Sequence, residues 1–193
     1  MAKYRNEFRI ESTRIPGYDY SQPNWYYITI NTKNHRIWFG KIIDGKMVLN
    51  GYGKTTKDCW YGIPNHFSNV EIDSFIVMPN HLHGIIIITD QYIKNGVYSD
   101  TLSNADISTT EVGGYSAISP KTGSLAAIIR SFKAVVTKRI HEAGDKEFNW
   151  QTRFYDRVIR NEKELYQIRK YIQLNPLKWD IEKNSDENLN LLF

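Results

Sequence analysis

The chain has 193 residues, 41% of them hydrophobic, and a formal charge of +4, which fits one folded domain with an ordinary core. Its single cysteine, Cys59, excludes an intramolecular disulfide and a cysteine-cluster zinc site, and no apolar run reaches membrane-spanning length. The opening residues Met1-Ala2-Lys3-Tyr4-Arg5-Asn6-Glu7 lack an apolar leader stretch, so a cytoplasmic protein with no membrane partner is expected.

Residues 1–24 are polar and basic, and Pro16, Gly17 and Pro23 punctuate them, so they read as an irregular N-terminal arm. Its arginines and tyrosines suit either clamping a base or packing on a sheet edge. From Trp25 to Asn31 the chain is β-branched and aromatic, and His35 to Ile43 repeats that character after a Thr-Lys-Asn turn, which predicts an antiparallel pair. Asp44-Gly45 is a hairpin signal, so Lys46 to Leu49 should return as a short strand. Tyr52, Thr55 or Thr56, Cys59 with Trp60, and Ile63 then recur at helical spacing, predicting a helix between Asn50 and Ile63.

Val70–Val77 and Leu82–Thr89 form one strand or a pair about Pro79 and Asn80. The stretch from Asp90 to Gly123 is rich in Ser, Thr, Asn and Gly without a period, so a long mobile loop is expected. Ser124 is a candidate N-cap for an amphipathic helix to His141, whose apolar stripe runs through Leu125, Ile128, Ile129, Phe132, Val135, Val136 and Ile140. After an aromatic and basic segment from Phe148 to Ile159, a second helix is predicted from Asn161 to Leu174, ended by Pro176. The acidic residues 180–193 read as a frayed C-terminal tail.

Two features carry chemistry. On a pleated strand, Leu82 points into the core and His81 and His83 point together to the other face, a ready pair of metal ligands or a hydrogen-bonded structural pair. On the last predicted helix, Leu165, Ile168 and Ile172 form the core stripe, and Tyr171 and Asn175 stack one turn apart on its flank. If that flank meets the histidine face, Asn175 supplies an oxygen ligand and Tyr171 stands beside the cation. A phenol is a weak nucleophile at neutral pH, but a phosphodiester neutralised by a divalent cation is open to its attack. Residues 124–179 also hold twelve Lys and Arg against six Asp and Glu, interleaved with aromatic residues, as a nucleic-acid surface or a solvated helix face would.

The motifs Val77-Met78-Pro79-Asn80-His81-Leu82-His83-Gly84-Ile85, Trp150-Gln151-Thr152-Arg153-Phe154, Val158-Ile159-Arg160-Asn161-Glu162 and Tyr171-Ile172-Gln173-Leu174-Asn175-Pro176-Leu177-Lys178-Trp179 occur in one order. In this the chain resembles the IS200-like transposases, and more closely their REP-associated tyrosine branch within the HUH endonucleases. Pro16-Gly17-Tyr18-Asp19-Tyr20 and Ile63-Pro64-Asn65-His66-Phe67 extend the resemblance over most of the chain except residues 90–123 and the tail. It implies a single α+β domain with a ferredoxin-like antiparallel sheet and helices packed on it. It further implies Mg²⁺- or Mn²⁺-dependent cleavage and rejoining of single-stranded DNA hairpins with a flanking guide sequence, through a 5′-phosphotyrosine intermediate. By position, Tyr171 falls on the nucleophile and His81, His83 and Asn175 on the metal ligands. Arg14, Tyr18, Arg130, Lys133, Trp150, Arg153 and Arg157 are the candidate DNA contacts. Relatives of this type act as monomers or homodimers. A domesticated, non-cleaving protein that binds single-stranded nucleic acid is the alternative.

Overall fold

The computed structural model describes residues 14–90 and 120–189, together with two short strands, β1 (Lys3–Tyr4) and β2 (Glu7–Phe8), which pair antiparallel with each other where the composition predicts only an irregular arm. The expected loop at 90–123 falls almost wholly outside the described residues, as do the last four of the tail.

The sheet is built by β3 (Asn24–Asn31), β6 (Val70–Val77), β7 (His81–Ile88) and β8 (Tyr155–Ile159), in the order β6-β7-β3-β8 and antiparallel throughout. Helix α1 (Gly51–Tyr61), followed by the short α2 (Ile63–His66), lies between β3 and β6, and α3 (Leu125–Glu142) lies between β7 and β8. Each crossover skips a strand, so two βαβ units interlock; this is the ferredoxin-like α+β arrangement expected from the sequence. Caps fix where the helices start: Asn50 Oδ1 accepts from the Gly53 amide at 2.9 Å, and the Ser124 hydroxyl oxygen accepts from the Ala127 amide.

Strand alternation divides the core in two. Tyr26, Ile28, Ile30, Leu82, Ile86 and Ile88 face α1 and α3, where they bury with Trp60, Ile128, Phe132 and Val136. Tyr27, Ile85 and Ile159 point the other way and meet Ile172, Leu165 and Ile168 of α4 (Glu162–Leu189). At Gly84 the indole of Trp60 lies hard against the sheet, where a Cβ would stand 2.3 Å from Trp60 Cζ2. Trp60 is itself stacked on Phe75 with centroids 4.6 Å apart and held edge-on by Phe132.

Two sequence expectations are corrected here. Strand β3 does not pair with the segment from His35 to Ile43: both of its edges are taken by β7 and β8. Asn34 and His35 adopt left-handed φ of 56° and 51° and turn the chain away, so β4 (Gly40–Ile43) pairs with β5 (Lys46–Leu49) through the expected Asp44-Gly45 turn. Of the two readings about Pro79, the pair of strands holds: Pro79 sits in the tight link between β6 and β7, and the bulge lies upstream between Ile72 and Phe75. Pro176 does not end the last helix, which runs on to Leu189. A mid-helix proline costs about 3 kcal/mol. The second half of α4 offsets this through contacts with the β4-β5 hairpin, where Asp180 Oδ2 accepts from the Gly45 amide at 2.9 Å and Leu177 packs on Gly45.

Candidate active site

The two imidazoles project from β7 toward α4, with their Nε2 atoms 3.1 Å apart. Their other nitrogens are held from behind. Asn80 Nδ2 donates to the His35 carbonyl at 3.0 Å, which turns Asn80 Oδ1 toward His81 Nδ1 at 2.7 Å. An amide oxygen only accepts, so His81 carries its proton on Nδ1 and presents a lone pair on Nε2. His83 Nδ1 lies 2.8 Å from the Tyr27 hydroxyl and 2.9 Å from that of Thr29, and Thr29 Oγ1 donates to the Tyr27 oxygen at 3.2 Å. As the side chains lie, a relay from Thr29 through Tyr27 to His83 Nδ1 leaves the His83 Nε2 proton between the two imidazoles. Moving that proton to Nδ1, where either hydroxyl oxygen accepts it, frees both Nε2 lone pairs for one cation.

Burial is the main cause of the electrostatics here. It lowers His81 to about 4, with a further push from His35, and His83 to about 3, with a further push from His81. Both imidazoles are therefore neutral at pH 7, as metal ligands must be. Burial likewise raises Tyr27 to about 12, so its hydroxyl stays protonated.

Helix α4 lays three side chains over this pair, spaced one turn apart. The Tyr171 ring lies 5.2 Å from that of His83, and the Trp179 ring 5.7 Å from that of His81. Asn175, one turn from each and only 7% exposed, is bracketed between them over the histidines. Its amide makes no hydrogen bond among the described residues, so a donor oxygen stands available beside two nitrogen donors. No group of three His, Cys, Asp or Glu able to hold a metal occurs among the described residues; a cation held by the histidine pair would take its third protein ligand from a neutral side chain such as this amide. Two imidazoles and an amide oxygen fit a divalent cation of intermediate hardness. Tyr171 itself is 42% exposed, with Lys178 Nζ 5.9 Å from its ring, so its hydroxyl is open to a phosphate from outside.

The other residues singled out from the sequence divide. Trp150 is buried among Phe39, Phe132 and Phe148, so it is a core residue without a face for a base. Arg14 donates to the buried Asp156 at 3.1 Å and lies over the Tyr20 and Phe154 rings, and Tyr18 accepts from Asn24 Nδ2 at 3.0 Å and packs on Tyr20; both tie the arm to the sheet. Lys133 caps the Gln151 and Thr152 carbonyls, and burial lowers it to about 8. Arg130 is exposed on the α3 side, opposite the histidines, and Arg153 is exposed in the turn before β8. Arg157 shares the histidine face, opposite Tyr27 in the ladder, and pairs with Glu164 at 2.5 Å.

Sequence reasoning missed Tyr27, Thr29, Asn80 and Trp179 as parts of this site. Trp179 was within reach, being eight residues beyond Tyr171 and on the same flank. Tyr27 and Thr29 share a strand face, but only the register that sets Thr29 opposite His83 brings them to it.

This fold is shared with a solved REP-associated tyrosine transposase. The solved structure of the REP-associated tyrosine transposase bound to a REP hairpin aligns with 92% of this chain and 74% of that one, at a TM-score of 0.51 and 20% identity. In sequence, the chain belongs to one family with an uncharacterized protein of Haemophilus influenzae (strain Rd), 38% identical over 172 residues that cover 88% of this chain and 89% of that protein. No protein-family model matches the chain.

Proposed function

We propose that the protein is a tyrosine transposase that cleaves and rejoins single-stranded DNA hairpins with the help of a divalent cation. The observation that carries this reading is the convergence of an accessible tyrosine on two neutral imidazoles: Tyr171 stands 5.2 Å from His83, whose Nε2 is 3.1 Å from that of His81. The resemblance of the motifs and the shared fold support it, the hairpin bound by the solved relative suggests the substrate, and the retention of Tyr171, His81, His83 and Asn175 together argues against a protein that only binds.

Mg²⁺ or Mn²⁺ held by His81, His83 and Asn175 would neutralise the phosphodiester and polarise its phosphorus. The Tyr171 oxygen attacks phosphorus and its proton is lost to solvent. The bond from phosphorus to the 3′ oxygen breaks, its electron pair stays on that oxygen, and water supplies a proton to give a free 3′ hydroxyl. The 5′ end remains on Tyr171 as a phosphodiester of tyrosine, which conserves the bond, so attack by a 3′ hydroxyl reverses the step without an external energy source. A single strand suits this pocket because its phosphates bend inward freely and its bases are free to stack on aromatic side chains.

Incubation with a labelled single-stranded hairpin and Mn²⁺ tests the reading. A protein-DNA adduct that survives denaturation is expected from the natural chain and none from Tyr171→Phe. Hairpin binding without any adduct would assign a non-cleaving role, and cleavage that persists in Tyr171→Phe would point to attack by water.

A further inference from the structure

On the far flank of α4 from Tyr171 lies a cavity of about 360 Å³ over the outer edge of β6, roofed by the β4-β5 hairpin and closed by α1 and α4. We propose that it holds one unpaired nucleotide of the same DNA strand whose phosphate reaches Tyr171. The identity of this occupant rests on the reading of the protein as a single-strand DNA enzyme.

The lining has the parts that a nucleotide needs. Phe75 lies parallel on Trp60, with centroids 4.6 Å apart, so a base entering the cavity extends an existing stack. Tyr61 stands edge-on to Phe75 at 6.1 Å and is 53% exposed, so its ring is open to an occupant of the cavity that it lines. Lys46 and Lys57 line the same space, and Lys57 Nζ sits 6.0 Å from the Tyr61 ring. Neither lysine makes a salt bridge with a carboxylate of the described residues, and the nearby Asp180 is engaged by the Gly45 amide. Gln173 brings an amide able both to donate to and accept from a base edge. A flat π face, hydrogen-bonding edges and a negative charge together describe a nucleotide, whereas an apolar peptide would leave both ammonium groups without an anion.

The cavity is coupled in position to the candidate active site. Ile76, one of its walls, pairs directly across the ladder with His83. On α4, Gln173 and Pro176 line the cavity while Tyr171 and Asn175 flank the histidines, with the buried Ile172 between them. The separation is about one helix diameter, roughly 10 Å, which a few nucleotides of extended single strand span.

The test uses the full chain and a fluorescent hairpin with a single-stranded flank, read by anisotropy. Tyr61→Ala and Lys57→Glu, both at exposed positions, should weaken binding about tenfold or more for the aromatic change, and by a salt-dependent factor for the charge change. Abasic substitution along the flank should reveal one position with a comparable loss, and at that position Tyr61→Ala should add nothing further. Affinity unchanged in both variants, or abasic losses spread evenly along the flank, would overturn the subsite. The same samples separate this from the larger reading: unchanged affinity with normal adduct formation leaves the transposase assignment standing without the subsite. Tyr61-dependent binding with no Tyr171 adduct removes the cleavage chemistry and keeps the subsite.

Discussion

Two hydroxyls converge on one imidazole nitrogen at 2.8 and 2.9 Å, and this arrangement sets the size of a measurable effect. To bind a cation through Nε2, His83 must place its proton on Nδ1, where, among the described residues, Tyr27 and Thr29 stand ready to accept it. Removing one acceptor by Tyr27→Phe or Thr29→Val leaves the other in place, so each single change should weaken Mn²⁺ binding by less than about tenfold. The double variant leaves a buried N–H without an acceptor, and its loss should approach 10- to 100-fold, or about 1.4–2.8 kcal/mol. Calorimetric titration with Mn²⁺ gives the affinities, and nitrogen NMR of the imidazoles reports which nitrogen carries the proton. A double variant that binds Mn²⁺ as tightly as the natural chain, with its His83 proton on Nδ1, would refute the argument. So would a single variant that already loses the full amount.

Other consequences concern stability. Gly84→Ala forces a methyl against Trp60, which Phe75 and Phe132 hold in place, so urea unfolding should show a loss of about 1–3 kcal/mol; an unchanged midpoint would mean that the indole has room to move. His81 and His83 are held neutral in the folded chain down to about 4 and about 3, while the unfolded chain takes up protons near 6.5. Stability should therefore fall as the pH drops below about 6.5, by up to about 1.4 kcal/mol per pH unit for each histidine. Replacing both with glutamine should flatten that slope, and a slope that persists would place its origin elsewhere. Arg14→Ala removes the partner of the buried Asp156 and should cost about 1–3 kcal/mol in thermal or urea unfolding; equal stability would show that the arm does not anchor through this pair.

Local chemistry was legible in the sequence wherever a single element decides it. Ser124 caps the helix it was expected to cap, Asp44-Gly45 turns the hairpin, and alternation alone puts His81 and His83 on one face with Leu82 on the other. Tyr171 and Asn175 share a flank for the same reason, since 3.6 residues per turn is a property of the helix itself. What stayed hidden was which face meets which. Strand β3 reads equally well as a partner for the segment after it, and only competition with β7 and β8 for its two edges decides otherwise. Trp150 reads as an exposed stacking platform beside arginines, yet the core takes it, because a large ring gains more from burial among Phe39, Phe132 and Phe148 than from solvent.

The histidine pair, the helical flank and the Ser124 cap were thus set by the sequence alone, because backbone periodicity acts over a few residues. The tertiary structure decided that α4 continues through Pro176 and carries Trp179 to His81, and that Thr29 and Tyr27 lie behind His83. Those meetings join residues up to about a hundred positions apart, and their geometry comes from strand register and helix packing, which depend on every surface competing for burial at once.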